Sequence, residues 1–335
     1  MVPQPTARTE QIDDRTDGQR LDNFLSRMLR GVPKSHVYQL IRSGQVRVNG
    51  RRARADTRLV LDDQVRVPPV RMKTPTTVDP VAGGMRQRAL AGQGGQLPVV
   101  HEDEGLLVID KPAGTAVHGG SGISSGVIEQ LRAARPQARF LELVHRLDRD
   151  TSGLLMVAKT RRTLVAIHDM LRSNYVEKRY VAIVLGSVPA RDRTIRLALR
   201  RTVGPAGERV VVVDPDGKEA ITTVTGLRRM SHPTLGTLSL VGLRLGTGRT
   251  HQIRVHLAAH DWPILGDSRY GRFESNRLAA AAGVPGMFLH ARELSLVHPL
   301  SGTRIRLRSS WPQTFASLFD EPVAPAACAH GRSDV

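Results

Sequence analysis

Apolar residues recur at Leu21, Phe24, Leu25, Met28 and Leu29, and again at Val37, Leu40 and Ile41 after a Gly-Val-Pro break at 31–33. Each set falls on one face of a 3.6-residue period, so the pattern predicts two short amphipathic helices. Gly44 ends the second. The stretch "QVRVNGRR" (45–52) then alternates around an Asn-Gly pair, which predicts a tight hairpin, and "DDQVRV" (62–67) supplies another strand. This first predicted unit closes near Pro69.

Periodicity fades over residues 71–96, where Gly, Pro, Gln and Thr dominate, and this stretch reads as a linker. From Leu97 onward apolar strands return with helical segments between them. "GLLMV" (153–157) is continuous enough for a fully buried strand, and "RRTLVAIHDMLRS" (161–173) has helical spacing. No internal repeat is visible, so the pattern predicts one large mixed α and β domain, followed by a frayed tail from 321 to 335. Thr250 is positioned to cap a helix running to about His260. Arg249 then sits at its N-terminal end, with Arg254 just over one turn further. A cation at a helix start opposes the macrodipole, and an anionic ligand would account for it. Equally, Arg249 could extend into solvent while His251 and His256 serve as satisfied core polar groups. The residues alone leave both readings open.

Charge changes the picture. Of 335 residues, 49 are Lys or Arg and 31 are Asp or Glu, a net charge of +18. The basic excess occurs both before and after residue 80, so it is not a detachable tail, and a long polyanion is the natural partner. In the first unit Lys34, Arg42, Arg47, Arg51, Arg52 and Arg54 crowd onto the second helix and the hairpin. They describe either a solvated face or a nucleic-acid surface.

A single cysteine, Cys328, excludes an internal disulfide framework and a Cys-based zinc finger. Twelve histidines invite a metal test. There is no HExxH or CxxC, and "HEDE" (101–104) crowds its acids too closely to prescribe a metal cage. "GGSGISSG" (119–126) lacks the Lys-Ser/Thr ending of a phosphate-binding loop. The residues therefore point to neither a metal site nor a phosphate-binding loop. No apolar run approaches the roughly 20 residues of a membrane span, and the first residues lack a signal peptide's apolar middle. A cytoplasmic, monomeric protein with no membrane partner is expected.

The densest charge lies in "HRLDRDTSGLLMVAKT" (145–160), where two arginines and two aspartates precede the buried strand. Asp148 and Asp150 could simply cap a turn and pair with Arg146 and Arg149. They also stand where a loop enters the core, a place suited to chemistry.

Two resemblances bear on the choice. The segment from "LDNFLSRMLRG" through "VYQLIRSGQVRVNG" to "DDQVRV" resembles the S4 RNA-binding domain. That resemblance implies that Lys34, Arg42, Arg47, Arg51 and Arg52 lie on RNA phosphates. "HRLDRDTSGLLMVAKT", "EKRYVAIVLG", "GRTHQIRVHLAAHDWPILGDSRYG" and "LHARELSLVHP", in that order over residues 97–312, resemble the RluA family of pseudouridine synthases. The stretch "RRTVGPAGERVVVVDPDGKEAITTVTGLRRM" is only loosely matched.

The family resemblance implies an α+β fold with a mixed, largely antiparallel central sheet flanked by helices, plus the small S4-type domain. The implied organisation is 18–70 for the S4-like domain, 71–96 for the linker, 97–320 for the catalytic domain and 321–335 for the tail. It implies isomerisation of uridine to pseudouridine in RNA. The "HRLD" opening points to members that modify large-subunit (23S) ribosomal RNA, free or in an assembly intermediate. By the same resemblance Asp148 is the catalytic aspartate, Arg254 pairs with it, and Tyr180 packs on the target base. Arg146, Arg249 and His251 would contact RNA, the arginines holding phosphates or filling the gap left by an extruded base.

Such a reaction breaks N1–C1′, turns the base and joins C5 to C1′. It needs no cofactor or metal, because uracil is a tolerable leaving group, and no second carboxylate to activate water. Three other readings remain at this point: a non-catalytic RNA-binding or ribosome-assembly protein, a synthase of this family with a different RNA target, and an RNA glycosidase or nuclease. The last would need a second carboxylate within the motif, for which Asp150 is the only local candidate, or a metal triad.

Overall fold

A computed structural model of the chain describes residues 7–13, 16–29, 32–70, 97–119, 126–205 and 207–321. These belong to two units, one within 1–96 and one within 97–335. The predicted linker, most of the 119–126 glycine stretch and the tail after Glu321 lie outside the described residues.

In the first unit the two predicted helices are α1 (Leu21–Met28) and α2 (Lys34–Arg42). Leu21, Phe24 and Leu25 of α1 meet Val37, Leu40 and Ile41 of α2 over Val46, Val65 and Val67, forming one core. The strands β1 (Arg8–Gln11), β2 (Arg47–Val48), β3 (Arg51–Arg52) and β4 (Gln64–Val67) form an antiparallel sheet in the order β1-β4-β2-β3. Asn49 and Gly50 both take positive φ, 49° and 75°, as the two-residue turn between twisted strands requires. Asn49 also fixes the hairpin through its side chain: Nδ2 donates to Asp63 Oδ1 at 2.7 Å and Oδ1 accepts from the Gln64 N–H at 2.8 Å. The sheet reaches back to Arg8, ahead of residue 18. "RTEQ" has no apolar alternation, so β1 depends on backbone pairing with β4 and on the neighbouring Ile12, which is buried in the core.

The second unit is built on a ten-stranded sheet. Its path joins β5 (Val99–Glu102), β6 (Leu106–Lys111), β8 (Ser152–Ala158), β15 (Leu289–Val297), β9 (Glu177–Leu185), β14 (Gly236–Leu245), β13 (Ile221–His232) and β10 (Arg193–Arg196). The short β7 (Glu142–Leu143) pairs with β8, and β16 (Arg304–Arg308) pairs with β15. Only β15 and β8 run parallel among these pairs; the rest are antiparallel, as the family resemblance implied.

The "GLLMV" run is continuous because both faces of β8 are covered. Leu155 and Val157 enter one core, which takes in α3 (Val127–Ala134) and α5 (Gln252–Ala259). Leu154 and Met156 enter the other, against Ile167 of α4 (Arg161–Arg172). Thr160 caps α4, its hydroxyl accepting from the Thr163 N–H at 3.1 Å. Gly153 opens β8 at φ +106°, and a Cβ there would lie 2.3 Å from the Ala291 carbonyl oxygen, so only glycine allows β8 to close on β15. The remaining elements are α6 (Phe273–Ala281), α7 (Gln313–Ala316) and a separate hairpin of β11 (Leu199–Val203) and β12 (Arg209–Val213). The loosely matched sequence stretch contains this hairpin, which packs Leu199 and Val211 with Ala220 and Val255 beside Tyr270.

Candidate active site

The hairpin, α5 and the turn between β7 and β8 enclose a cavity of about 650 Å³. Asp148 reaches it from that turn, which is closed by the Thr151 N–H donating to the Asp148 carbonyl at 3.2 Å. From beneath, Lys111 holds the turn. This lysine ends β6, is fully buried, and donates its three ammonium hydrogens to the carbonyls of Pro112 (2.9 Å), Thr115 (2.8 Å) and Arg149 (2.9 Å). Burial pulls its pKa down to about 8, while Asp150 and Asp148 act to raise it.

Arg254 projects from α5 and serves two carboxylates. Its Nε and Nη2 donate to Asp267 Oδ2 and Oδ1, both at 2.8 Å, and Nη1 donates to Asp148 Oδ2 at 3.1 Å. Burial works against the guanidinium charge, but the two carboxylates outweigh it and raise its pKa. The Asp267 carboxyl is likewise pushed up by burial and pulled further down by Arg254 and by the Tyr270 and Arg269 N–H groups, leaving it below the usual carboxylate range. A planar five-donor fork is required here; an ammonium could not bind Asp267 bidentately and reach Asp148.

The start of α5 differs from the expected cap. Thr250 is not the capping residue: its hydroxyl accepts from Arg201, and the N-cap is His251 at φ +54°, in the left-handed region. Gln252 secures the approach instead, accepting from the Arg249 N–H (3.0 Å) and the Thr247 hydroxyl (2.7 Å) and donating to the Ile221 carbonyl (2.9 Å). Arg249 consequently lies before the helix, exposed at the cavity rim, with Nε donating to the Glu219 carbonyl at 3.0 Å. The strained backbone of His251 turns its ring inward. Nδ1 lies 2.7 Å from the Tyr270 hydroxyl and Nε2 3.8 Å from Asp148 Oδ1. The Tyr270 hydroxyl accepts from the Val211 N–H at 3.0 Å, so the hairpin, α5 and Asp148 share one network. Burial lowers the His251 pKa, Asp148 raises it and Arg254 lowers it, for a net lowering. His256, by contrast, is a core group, buried with Nε2 3.1 Å from the Leu197 carbonyl.

Tyr180 of β9 forms a buried wall of the cavity, its hydroxyl pKa raised by burial and by the Asp148 charge. His145 accepts from the Met156 N–H at 3.2 Å and is held neutral by burial, with a pKa near 3. Arg146, Arg201, Lys218 and Arg249 are exposed at the rim. Asp150 does not line this cavity and pairs with exposed Arg149 at 3.1 Å. Among the described residues, no three His, Cys, Asp or Glu side chains gather so as to hold a metal ion.

In the first unit Arg42, Arg47, Arg51 and Arg52 are exposed on α2 and the β2–β3 hairpin, and Lys34 is the first residue of α2. Arg47 Nη1 donates to the Gly50 carbonyl at 3.2 Å, bracing the hairpin tip.

Comparison with known proteins decides the family. The RNA pseudouridylate synthase family matches residues 105–259 and the S4 domain family residues 19–65. The chain is 46% identical over 292 residues to ribosomal large subunit pseudouridine synthase C of Yersinia pestis, covering 87% of this chain and 88% of that one. It is 43% identical over 309 residues to the protein of the same name from Escherichia coli K12, covering 91% and 93%. The chain is a pseudouridine synthase of the RluA family. Among solved structures, human RNA pseudouridylate synthase domain containing 1 superposes with a TM-score of 0.55 at 25% identity, covering 65% of this chain and 84% of that one. Human RNA pseudouridylate synthase domain containing 4 superposes at 0.51 with 28% identity, covering 69% and 93%.

Sequence reasoning did not single out three groups that shape this synthase's cavity: Lys111, Asp267 and Tyr270. Asp267 and Tyr270 stand inside the quoted "ILGDSRYG", but nothing local says that they fold back onto Arg254 and His251. Lys111 carried one usable signal, a charge terminating an apolar strand in "LLVIDKP".

Proposed function

We propose that this synthase isomerises uridines of large-subunit ribosomal RNA, with Asp148 as the carboxylate that acts on the target nucleotide. One observation carries the assignment: Asp148 is the carboxylate that Arg254 presents to a cavity walled by Tyr180. Arg254 holds Asp148 aimed at the cavity. Tyr180 packs against the extruded base and takes part in removing the C5 proton. Arg146 and Arg249 hold phosphates at the rim, His251 supports the aspartate and the nucleotide, and the exposed arginines of the S4 unit add affinity for the RNA backbone. The choice of ribosomal RNA rests on the names of the two bacterial relatives. Pseudouridine maps of ribosomal RNA from cells with and without the protein test it. Loss of specific large-subunit pseudouridines is expected, and unchanged maps would reject the assignment.

Two further outcomes follow from the geometry. Replacing Arg42, Arg51 and Arg52 together by Gln should weaken RNA binding and flatten its salt dependence by about one unit of log–log slope per arginine, since each phosphate contact releases a counterion. The rate at saturating RNA should be unchanged. Undiminished affinity across a salt titration would remove these arginines from the interface. Lys111→Met should release the Asp148 turn from three carbonyls and slow single-turnover conversion by about 10 to 100-fold through misplacement of the carboxylate. A filter-binding constant should remain near that of the parent, and a rate equal to the parent would show that the turn holds itself.

A further inference from the structure

Residues 177–180 of β9 read Glu-Lys-Arg-Tyr, and the strand alternates their directions. Glu177 and Arg179 form an ion pair with one another at 2.7 Å. Lys178 and Tyr180 share the other face and line the cavity together with Asp148. Among the described residues Lys178 has neither a carboxylate nor a carbonyl partner. Around it stand His145, held neutral by burial, the apolar side chain of Leu245, and Gly248, where an added Cβ would lie 3.7 Å from Lys178 Nζ. Burial lowers the Lys178 pKa. Lys178 is half-buried with its ammonium open to the cavity, and a cation partly withdrawn from water without a partner is expected where a ligand supplies the missing charge.

The cavity holds other cations, but each is otherwise engaged or placed. Arg254 is engaged by two aspartates. Arg249 and Arg201 have partners at the rim, and Arg146 and Lys218 are exposed there, where the phosphates of an entering strand would pass. Lys178 stands one strand repeat from Tyr180 on the same face of β9, at the cavity wall that Tyr180 forms. The negative charge that arises beside that wall is on the base. When N1–C1′ breaks, its electron pair stays with uracil, giving an anion shared between N1 and the ring carbonyl oxygens. When C5 bonds to C1′, that pair is consumed, the C5 hydrogen leaves as a proton and N1 gains one, so atoms and electrons balance without a further reactant.

We infer that Lys178 is the cation that holds the detached uracil, its ammonium donating to a ring carbonyl oxygen while the base turns. A preorganised donor at developing charge acts on rate more than on binding. The inference rests on the assignment of the chemistry to this cavity through Asp148.

The test is single-turnover conversion of a tritiated-uridine 23S ribosomal RNA transcript by the full-length protein, with affinity and unfolding midpoint measured in parallel. Lys178→Met should lose about 100-fold or more in rate at saturating RNA, the scale of removing one oxyanion donor. Its dissociation constant should stay within about twofold of the parent. The unfolding midpoint should not fall, because the half-buried ammonium gives up no protein partner on replacement, and Lys178→Arg should recover part of the rate. A rate within about threefold of the parent overturns the inference. So does weakened affinity with an intact saturating rate, which would make Lys178 a phosphate contact. Rate loss accompanied by a lower midpoint, with no recovery in Lys178→Arg, would make the residue structural and also overturn it. Asp148→Asn is run alongside. Activity there rejects the Asp148 assignment itself, whereas an inactive Asp148→Asn beside a fully active Lys178→Met rejects only the role of Lys178.

Discussion

Asp148→Asn is expected to abolish pseudouridine formation, by at least about 10⁴-fold, the scale on which loss of a catalytic nucleophile acts. The amide keeps the shape of the carboxylate and can still accept from Arg254 Nη1, so the network around Asp267 survives and the variant should fold. What it loses is the negative charge and the ability to attack carbon or take a proton. RNA affinity should hold within a few-fold, because it comes from the basic surfaces. Asp150→Asn is the matched control. Its carboxylate pairs with exposed Arg149, and such a pair contributes about 0 to 1 kcal/mol, so substantial activity should remain. Single-turnover assays of both purified variants decide the matter. An active Asp148→Asn enzyme, or a folded but inactive Asp150→Asn one, would place the chemistry on the wrong residue.

Arg254→Ala should both inactivate and destabilise the protein. Removing the guanidinium leaves Asp267 buried without its counter-charge, a loss of about 3 to 5 kcal/mol for a broken buried pair. For a unit of this size that lowers the unfolding midpoint by about 10 °C. The effect has a pH sign. In the parent the Asp267 pKa lies below its ordinary value, so its stabilising contribution is present above the ordinary carboxylate range and is lost as pH falls through the lowered value. The midpoint gap between parent and Arg254→Ala should therefore be wide at neutral pH and narrow in acid. Arg254→Lys separates charge from geometry: it restores a cation but not the fork that reaches both aspartates, so it should regain stability before activity. Calorimetry from acid to neutral pH, with single-turnover rates at neutral pH, checks both parts. A gap that does not change with pH would mean that Arg254 stabilises through packing alone.

The local patterns that the sequence displays are those whose cause is local. The "GLLMV" run, the two amphipathic helices of the S4 unit and the Asn-Gly hairpin were all legible because burial on one or both faces, or a positive φ at two adjacent positions, restricts which residues can stand there. The ordered motifs that contain Asp148, Tyr180 and Arg254 likewise pointed to the family, which the comparisons show. A cap is a weaker signal. Thr250 has the right side chain to start a helix, yet Arg201 from the hairpin engages its hydroxyl and α5 begins one residue later around His251. β1 gave no signal at all, because its hold on the sheet is backbone pairing to a strand more than fifty residues away.

What only the tertiary structure decided is which groups complete one another across distance. Nothing near Arg254 in the chain specifies that Asp267 and Asp148 share three of its five donors. Nothing near Lys111 specifies that its ammonium meets a carbonyl at Arg149, and, whereas strand alternation in "EKRY" brings Glu177 to Arg179, nothing there tells that no described residue pairs with Lys178. By itself the sequence determined the two helices and hairpin of the S4 unit, the buried strand and the family. The partnerships that aim Asp148 arose from folding, because a hydrogen bond is satisfied by whichever donor the fold brings within 3 Å, and chain separation does not enter that geometry.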